Sequence, residues 1–287
     1  MKYIIFPDIH GRDFWKTTVE AYKDFEDITY IFLGDYLDPY QYEDIPMQKA
    51  IDNFKEILDF QINDSHNVVL LLGNHDLHYI SNEMGAGSRF DYFRAEEIRK
   101  IFEDAIAGQN VLQMTYDVVI DGKRFYFSHA GVSDLWISNN KEYLYQEWEL
   151  DNNPDPNKNG YSDLPNFNYL FESKTMRDKF FKSLGDVSFH RWGPKNAGSI
   201  VWADWQEFIY DDSHIPGIIQ VFGHSQQEHY PISINDEFFC LDVRRPFILN
   251  EDGKLTELDG TAIPQIDIDN FIEEEKKRIE KLMMFAF

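Results

Sequence analysis

Apolar and polar positions alternate along this chain in short blocks. Residues 3–6 form a first apolar run, a loop follows over 7–11, and Phe14, Trp15, Thr18, Val19 and Tyr22 then recur at helical spacing. A second run at 28–33 precedes another helical pattern over 46–62, with Met47, Ala50, Ile51, Phe54, Ile57 and Leu58 on one face. The run at 68–72 is unbroken, which predicts a central strand buried on both faces. Alternation of strand and helix predicts βαβ units and a mainly parallel sheet at this end of the chain.

The pattern changes after residue 81. Residues 85–88 read as a flexible loop and 95–107 as a short helix. Strands are predicted at 111–116 and 117–120, turning at Asp121-Gly122 into 124–127, a hairpin that implies a second sheet. Further strands are predicted at 218–222, 231–234, 238–243 and 247–249. A charged helix over 268–287 carries Phe271, Ile272, Ile279, Leu282 and Met283 on one face. The stretch 134–200 holds Trp136, Tyr143, Tyr145, Trp148, Tyr161, Phe167 and Tyr169, a turn-rich part at 151–160, and helical pieces at 139–148 and 174–184. It reads as an insertion or cap over the site, within a single domain spanning 1–287. The expected fold is α/β, a sandwich of two sheets with helices outside.

Composition narrows the function. With 27 Lys and Arg against 51 Asp and Glu the formal charge is −24, which disfavours long nucleic acids and anionic lipid as partners. A small phosphorylated substrate would need local positive charge from metal ions or a few arginines. The lone Cys240 excludes an intramolecular disulfide and suits a reducing cytoplasm. No stretch approaches 18 apolar residues, so no membrane span is expected. Nothing in the sequence decides the oligomeric state.

Chemistry-bearing residues sit at the ends of five apolar runs: Asp8-Ile9-His10, Gly34-Asp35-Tyr36-Leu37-Asp38, Gly73-Asn74-His75-Asp76, Ser128-His129-Ala130-Gly131 and Gly223-His224-Ser225. Loops after the carboxyl ends of parallel strands are where ligands collect in open α/β sheets. Asp8, His10, Asp35, Asn74, His129 and His224 together offer carboxylate, imidazole and amide donors without a thiolate. That set suits manganese, iron or zinc and argues against a structural cysteine-zinc site. Two divalent ions sharing one carboxylate could clamp a phosphoryl group and activate a water. His75 and Asp38 remain, and an imidazole oriented by a carboxylate can protonate a leaving alkoxide.

These five blocks, spanning residues 8–224 in this order, resemble the calcineurin-like metallophosphoesterase superfamily. Asp-Ile-His-Gly and Gly-Asp-Tyr-Leu-Asp are especially similar to the serine/threonine phosphoprotein phosphatase branch, and Val201-Trp202-Ala203-Asp204 is similar to its Trp-Ser-Asp element. The resemblance implies a four-layer α/β/β/α sandwich with a dinuclear metal centre at the strand ends. It implies Asp8 and His10 on one metal, Asn74, His129 and His224 on the other, and Asp35 bridging. His75 supported by Asp38 is implied as the proton donor, with a metal-activated hydroxide attacking phosphorus.

Two departures stand out. The phosphatase branch has an arginine directly after its second aspartate, where this chain has Pro39. Arg89, Arg94, Arg191, Arg244 and Arg245 are the candidates to replace it. Other branches carry Gly-His-x-His, but here the second histidine is Gln226, which leaves the Asp8/His10 metal the less crowded one. His78 and His229 match no ligand position and are read as structural. The expected function is a metal-dependent phosphomonoesterase acting on a small phosphorylated substrate or a phosphoprotein. A phosphodiesterase or dinucleoside-polyphosphate hydrolase is the alternative within this chemistry, and a noncatalytic binding protein on the same fold is the alternative outside it.

Overall fold

The apolar runs become the strands of two mixed sheets. A computed structural model of the chain describes residues 1–64, 66–85, 87–145, 164–209 and 215–285. Strands β1 (Lys2–Phe6), β2 (Ile28–Phe32), β3 (Asn67–Leu71) and β4 (Leu112–Gln113) run parallel. With the antiparallel β10 (Phe247–Leu249) and β11 (Leu255–Glu257) they form a six-stranded sheet ordered β11-β10-β1-β2-β3-β4. The second sheet is ordered β5-β6-β7-β9-β8, from β5 (Thr115–Ile120), β6 (Lys123–Ser128), β7 (Ile219–Phe222), β8 (Ile232–Ile234) and β9 (Phe238–Cys240). β3 is buried as expected, yet it lies next to the short edge strand β4, and β1 and β2 take the centre.

Alternation along the strands separates the layers. Tyr3, Ile5, Ile31, Leu33, Val69 and Leu71 face Phe125, Phe127, Val221, Phe239 and Leu241 between the sheets. Their neighbours Ile4, Phe6, Tyr30, Phe32, Leu70 and Leu72 point the other way, into a core with helices α1 (Phe14–Tyr22), α2 (Met47–Asn63) and α4 (Ala95–Ala107). On the outer side of the second sheet, Phe222, Ile234, Phe238 and Cys240 meet Trp205 and Phe208, with Phe271 of the final helix, Ile268–Phe285, tilted against Trp205. The result is a four-layer α/β/β/α sandwich. Among the described residues no helix is long and apolar enough to cross a membrane.

Three local features escaped the pattern. Residues 111–120 divide at Met114, where the chain crosses from one sheet to the other. Asn168 holds that crossing, accepting from the amides of Met114 (2.8 Å) and Thr115 (3.1 Å) and donating to Thr115 O (3.0 Å). The block after β3 is a helix, α3 (Asn74–Ile80), whose polar side chains face inward, so no amphipathic period marks it. Among the described residues of 134–200 the helices are α5 (Asp134–Asn139), α6 (Lys141–Leu144), α7 (Phe167–Glu172) and α8 (Arg177–Leu184); Trp136, Phe167 and Phe180 stack in series among them. They lie on the outer side of the second sheet, where Gln220 of β7 exchanges hydrogen bonds with both Val132 N (2.7 Å) and Val132 O (2.9 Å). The turn-rich 151–160, with Trp148 and Tyr161, lies outside the described residues. The Asp121-Gly122 hairpin forms as expected, both residues having positive φ (49° and 74°), the type I′ signature.

Candidate metal centre

The six expected ligands leave the ends of five strands: Asp8 and His10 after β1, Asp35 after β2, Asn74 after β3 at the start of α3, His129 after β6 and His224 after β7. All six are buried, none more than 5 % exposed. Holding them there strains the backbone. His10, Asp35, Asp38 and His224 have φ of 43°, 53°, 56° and 63°, a region that costs a non-glycine residue about 1–3 kcal/mol. Strain of this kind persists only where neighbours over-determine it.

The neighbours are backbone amides and one further carboxylate. Beyond the last strand pairs the first two loops stay zipped together, His10 N donating to Asp35 O (2.6 Å) and Gly11 N to Tyr36 O (2.9 Å). Asp76, fully buried, accepts from the amides of Asp35 (2.8 Å), Tyr36 (3.0 Å) and Gly73 (2.8 Å), which clamps the ends of β2 and β3 to each other. His224 N donates to Asp8 Oδ1 (2.8 Å) and His75 N to Asp35 Oδ1 (2.9 Å), so one oxygen of each carboxylate is fixed by backbone. Gly73 and Gly223 leave room for this. A Cβ at Gly73 would fall 2.1 Å from Asp35 Oδ1, and one at Gly223 would fall 2.1 Å from Asp8 Oδ1.

Hydrogen bonding then decides which atoms carry lone pairs. His10 Nδ1 lies 2.7 Å from Leu37 O and His129 Nδ1 2.8 Å from Leu33 O. A carbonyl only accepts, so each Nδ1 bears the proton and each Nε2 presents a lone pair. Both Nε2 atoms sit 3.5 Å from Asp35 Oδ2. His129 Nε2 is also 3.0 Å from Asn74 Oδ1 and 3.1 Å from His224 Nδ1. Unshared pairs crowded in this way repel one another unless a cation lies between them, so the donor set fits divalent metal. Asp8, His10 and Asp35 can bring one ligand atom each within 4.8 Å of one another, as can Asp35, His129 and His224, and Asp35 is common to both groups.

Electrostatics agrees with ligation. Burial pushes His10 and His224 well below the usual imidazole range, which keeps both rings neutral. Burial alone would raise Asp35, but His129, His75 and His10 around it hold it below the ordinary carboxylate range. Asp8 is pushed up by burial, with His129 acting against the rise.

A third cluster, Asp38, His75 and His78, is equally compact but differs in kind. Gly87 N donates to His78 Nδ1 (3.1 Å), so His78 Nε2 carries the proton and donates to Asp38 Oδ2 (2.8 Å). His75 Nδ1 donates to the same oxygen (2.8 Å) and Tyr79 OH donates to Asp38 Oδ1 (2.6 Å). Asp38 is therefore saturated with donors. Burial would raise its carboxyl, yet the bonds from His75 and His78 hold it below the ordinary range.

Among the arginines, Arg89 enters the site. Its Nη2 is 3.0 Å from His75 Nε2 and 3.4 Å from His10 Nε2, and its guanidinium lies 3.6 Å from the Tyr40 ring centroid. Arg191 approaches from the other side, 3.5 Å from Asp204, which also accepts from Ser225 Oγ (3.1 Å), while Trp202 stands edge-on to His224. Arg94 is engaged by Glu97, Arg245 by Glu257, and Arg244 by Tyr42 and Glu43. Gln226 meets the Tyr42 hydroxyl (3.2 Å). His229 lies at the surface near Glu228. Sequence reasoning placed Asp76 at a strand end without a role, and marked neither Tyr40 nor the bonding of His78. Of these only Asp76 had a signal, a carboxylate three residues after a helix-capping position.

Residues 1–228 match the model of the calcineurin-like phosphoesterases. No curated protein matches the chain. Three solved structures align with most of it. They are a cold-active protein-tyrosine phosphatase of a psychrophilic Shewanella species (15 % identity, TM-score 0.46, 90 % of this chain and 80 % of that one), a protein serine/threonine phosphatase from Saccharomyces cerevisiae (12 %, 0.44, 93 % and 82 %) and an archaeal phosphodiesterase (13 %, 0.34, 90 % and 99 %). Because the family model takes in every strand-end cluster from Asp8 to His224, the chain belongs to the calcineurin-like phosphoesterase family and is a metal-binding phosphoester hydrolase.

Proposed function

We propose that the chain hydrolyses phosphomonoesters, with phosphoproteins among its substrates, at a centre of two divalent ions drawn from manganese, iron or zinc. The observation that carries this is the convergence of His10 and His129 lone pairs on Asp35 Oδ2, with His75 and Arg89 beside it. Asp8, His10 and Asp35 would hold one ion, and Asp35, Asn74, His129 and His224 the other. When bound, the ions would supply positive charge to the phosphoryl oxygens and lower the pKa of water.

The remaining work falls to the chain. Asp38 fixes the His75 tautomer with Nδ1–H inward, leaving Nε2, which accepts from Arg89 Nη2 (3.0 Å), toward the site as the atom that would carry a proton to the leaving oxygen once the guanidinium turns to phosphate. Arg89 shares that edge and supplies the guanidinium that Pro39 replaces in the family's usual place. A guanidinium paired with a hydrogen-bonding imidazole suits the dianionic phosphoryl group of a monoester better than the single charge of a diester. Arg191 brings a further cation toward the His224 side, at the end of the stretch 134–200. The buried lone Cys240 supports a cytoplasmic location.

Purified protein with manganese should hydrolyse an aryl phosphate monoester faster than the matching diester, and a phosphopeptide faster than a dinucleoside polyphosphate. Asp35→Asn or His75→Ala should cut turnover by about two orders of magnitude or more. A preference for the diester or the dinucleoside polyphosphate would move the assignment to that class.

A further inference from the structure

Arg89 does not reach the site by accident of a loose loop. Its own backbone lies at φ 64°, a left-handed conformation that bulky side chains avoid unless held. Two residues before it, Gly87 N donates to His78 Nδ1 (3.1 Å). Two residues after it, Asp91 N donates to Tyr79 OH (2.9 Å). Both anchors are buried on α3, and both donate their remaining proton to Asp38, His78 through Nε2 (2.8 Å) and Tyr79 through its hydroxyl (2.6 Å). Phe90 stacks on Tyr79 and stands edge-on to His78, at centroid distances of 4.6 and 4.9 Å. The guanidinium closes the circuit on Tyr40, two residues beyond Asp38.

We infer that residues 87–91 form a strap that delivers Arg89 to the phosphoryl group, and that His78 and Tyr79 are its positioning residues. One carboxylate, Asp38, thereby sets the orientation of the proton-donating His75 and the placement of the guanidinium beside it. This rests on the reading of Arg89 as the phosphate-gripping arginine. Pro39, directly after Asp38, offers no side-chain donor, and the strap brings a guanidinium onto the Tyr40 ring beside His75 instead.

The two bonds made by His78 can be separated. A glutamine amide places its nitrogen near the imidazole Nε2 position, and an asparagine places its oxygen near Nδ1. His78→Gln therefore keeps the bond to Asp38 and releases Gly87, whereas His78→Asn keeps Gly87 and releases Asp38. Gly87→Ala is an independent way to break the tether, because its Cβ would fall 2.6 Å from His78 Nδ1. The readout is the affinity of manganese-loaded protein for inorganic phosphate by calorimetry, alongside manganese affinity, melting temperature and kcat and KM on an aryl phosphate.

His78→Gln and Gly87→Ala should each weaken phosphate binding by roughly tenfold, the effect of losing about one hydrogen bond's worth of placement. Manganese affinity should stay unchanged, and His78→Gln should have no further effect on phosphate binding in an Arg89→Ala background. Wild-type phosphate affinity in both tether variants, or full additivity with Arg89→Ala, would overturn the strap. Unchanged phosphate affinity in Arg89→Ala itself would overturn the phosphate grip and the strap with it. A failure confined to the substrate class would show instead as phosphate binding that follows the strap while the diester is the better substrate.

Discussion

Asp76 lies outside the ligand set, and its removal tests how the fold holds that set together. Its carboxyl is fully buried and takes three amide hydrogens, from Asp35, Tyr36 and Gly73. Asp76→Ala strands all three donors. At about 1–3 kcal/mol for each unsatisfied buried group, and with water entering the vacated space to satisfy part of them, the expected loss is about 3–5 kcal/mol. That is a large share of the roughly 5–15 kcal/mol by which a folded domain is stable. Asp76→Asn should be the milder change, because its one amide oxygen can still accept from Asp35 N and Gly73 N while its NH2 leaves Tyr36 N without an acceptor. The assay is urea unfolding of metal-stripped protein, with the midpoint falling and the slope unchanged. Manganese affinity should fall in parallel, since the clamp sets the distance between the loops bearing Asp35 and Asn74. An Asp76→Ala protein within about 1 kcal/mol of wild type, binding manganese normally, would refute the clamp.

Two further outcomes follow from the same geometry. Gly223→Ala should leave the far-ultraviolet spectrum intact but weaken manganese binding, because the new methyl group displaces the Asp8 oxygen that His224 N holds; unchanged binding would show that the loop yields freely. In metal-stripped protein the His10 and His224 rings should remain neutral below the ordinary histidine value of about 6.5, as followed by ring proton resonances, because burial pushes both down. The sign is that only the unfolded chain takes up these protons as pH falls through that range, so the two rings lower stability there. Burial pushes Asp76 and Asp242 in the opposite sense, which is why the ring signals and not the melting temperature are the readout.

Much of this architecture was legible because its signals are local. Apolar runs marked β1, β2, β3, β6 and β7, and the donors of the centre stand directly at the ends of those runs, where the strand stops and the side chains can turn into the cleft. The Asp121-Gly122 turn named its own conformation. What stayed hidden depends on tertiary contacts. α3 shows no amphipathic stripe because His75, Asp76 and His78 point into the protein rather than to solvent. The break at Met114 follows from a hydrogen-bonding Asn168 more than fifty residues away. Arg89 could not be picked from five arginines, since its loop has no period and its placement relies on His78, Tyr79 and Tyr40.

The central claim is that Asp35 bridges two metal ions on which hydrolysis depends. Its most direct test is to strip the protein by exhaustive chelation, titrate manganese back, and follow bound metal and aryl phosphate turnover together. The account predicts no activity in the stripped protein, recovery as two ions bind per chain, and loss of both in Asp35→Asn. Full activity after chelation, or normal loading and turnover in Asp35→Asn, would contradict it.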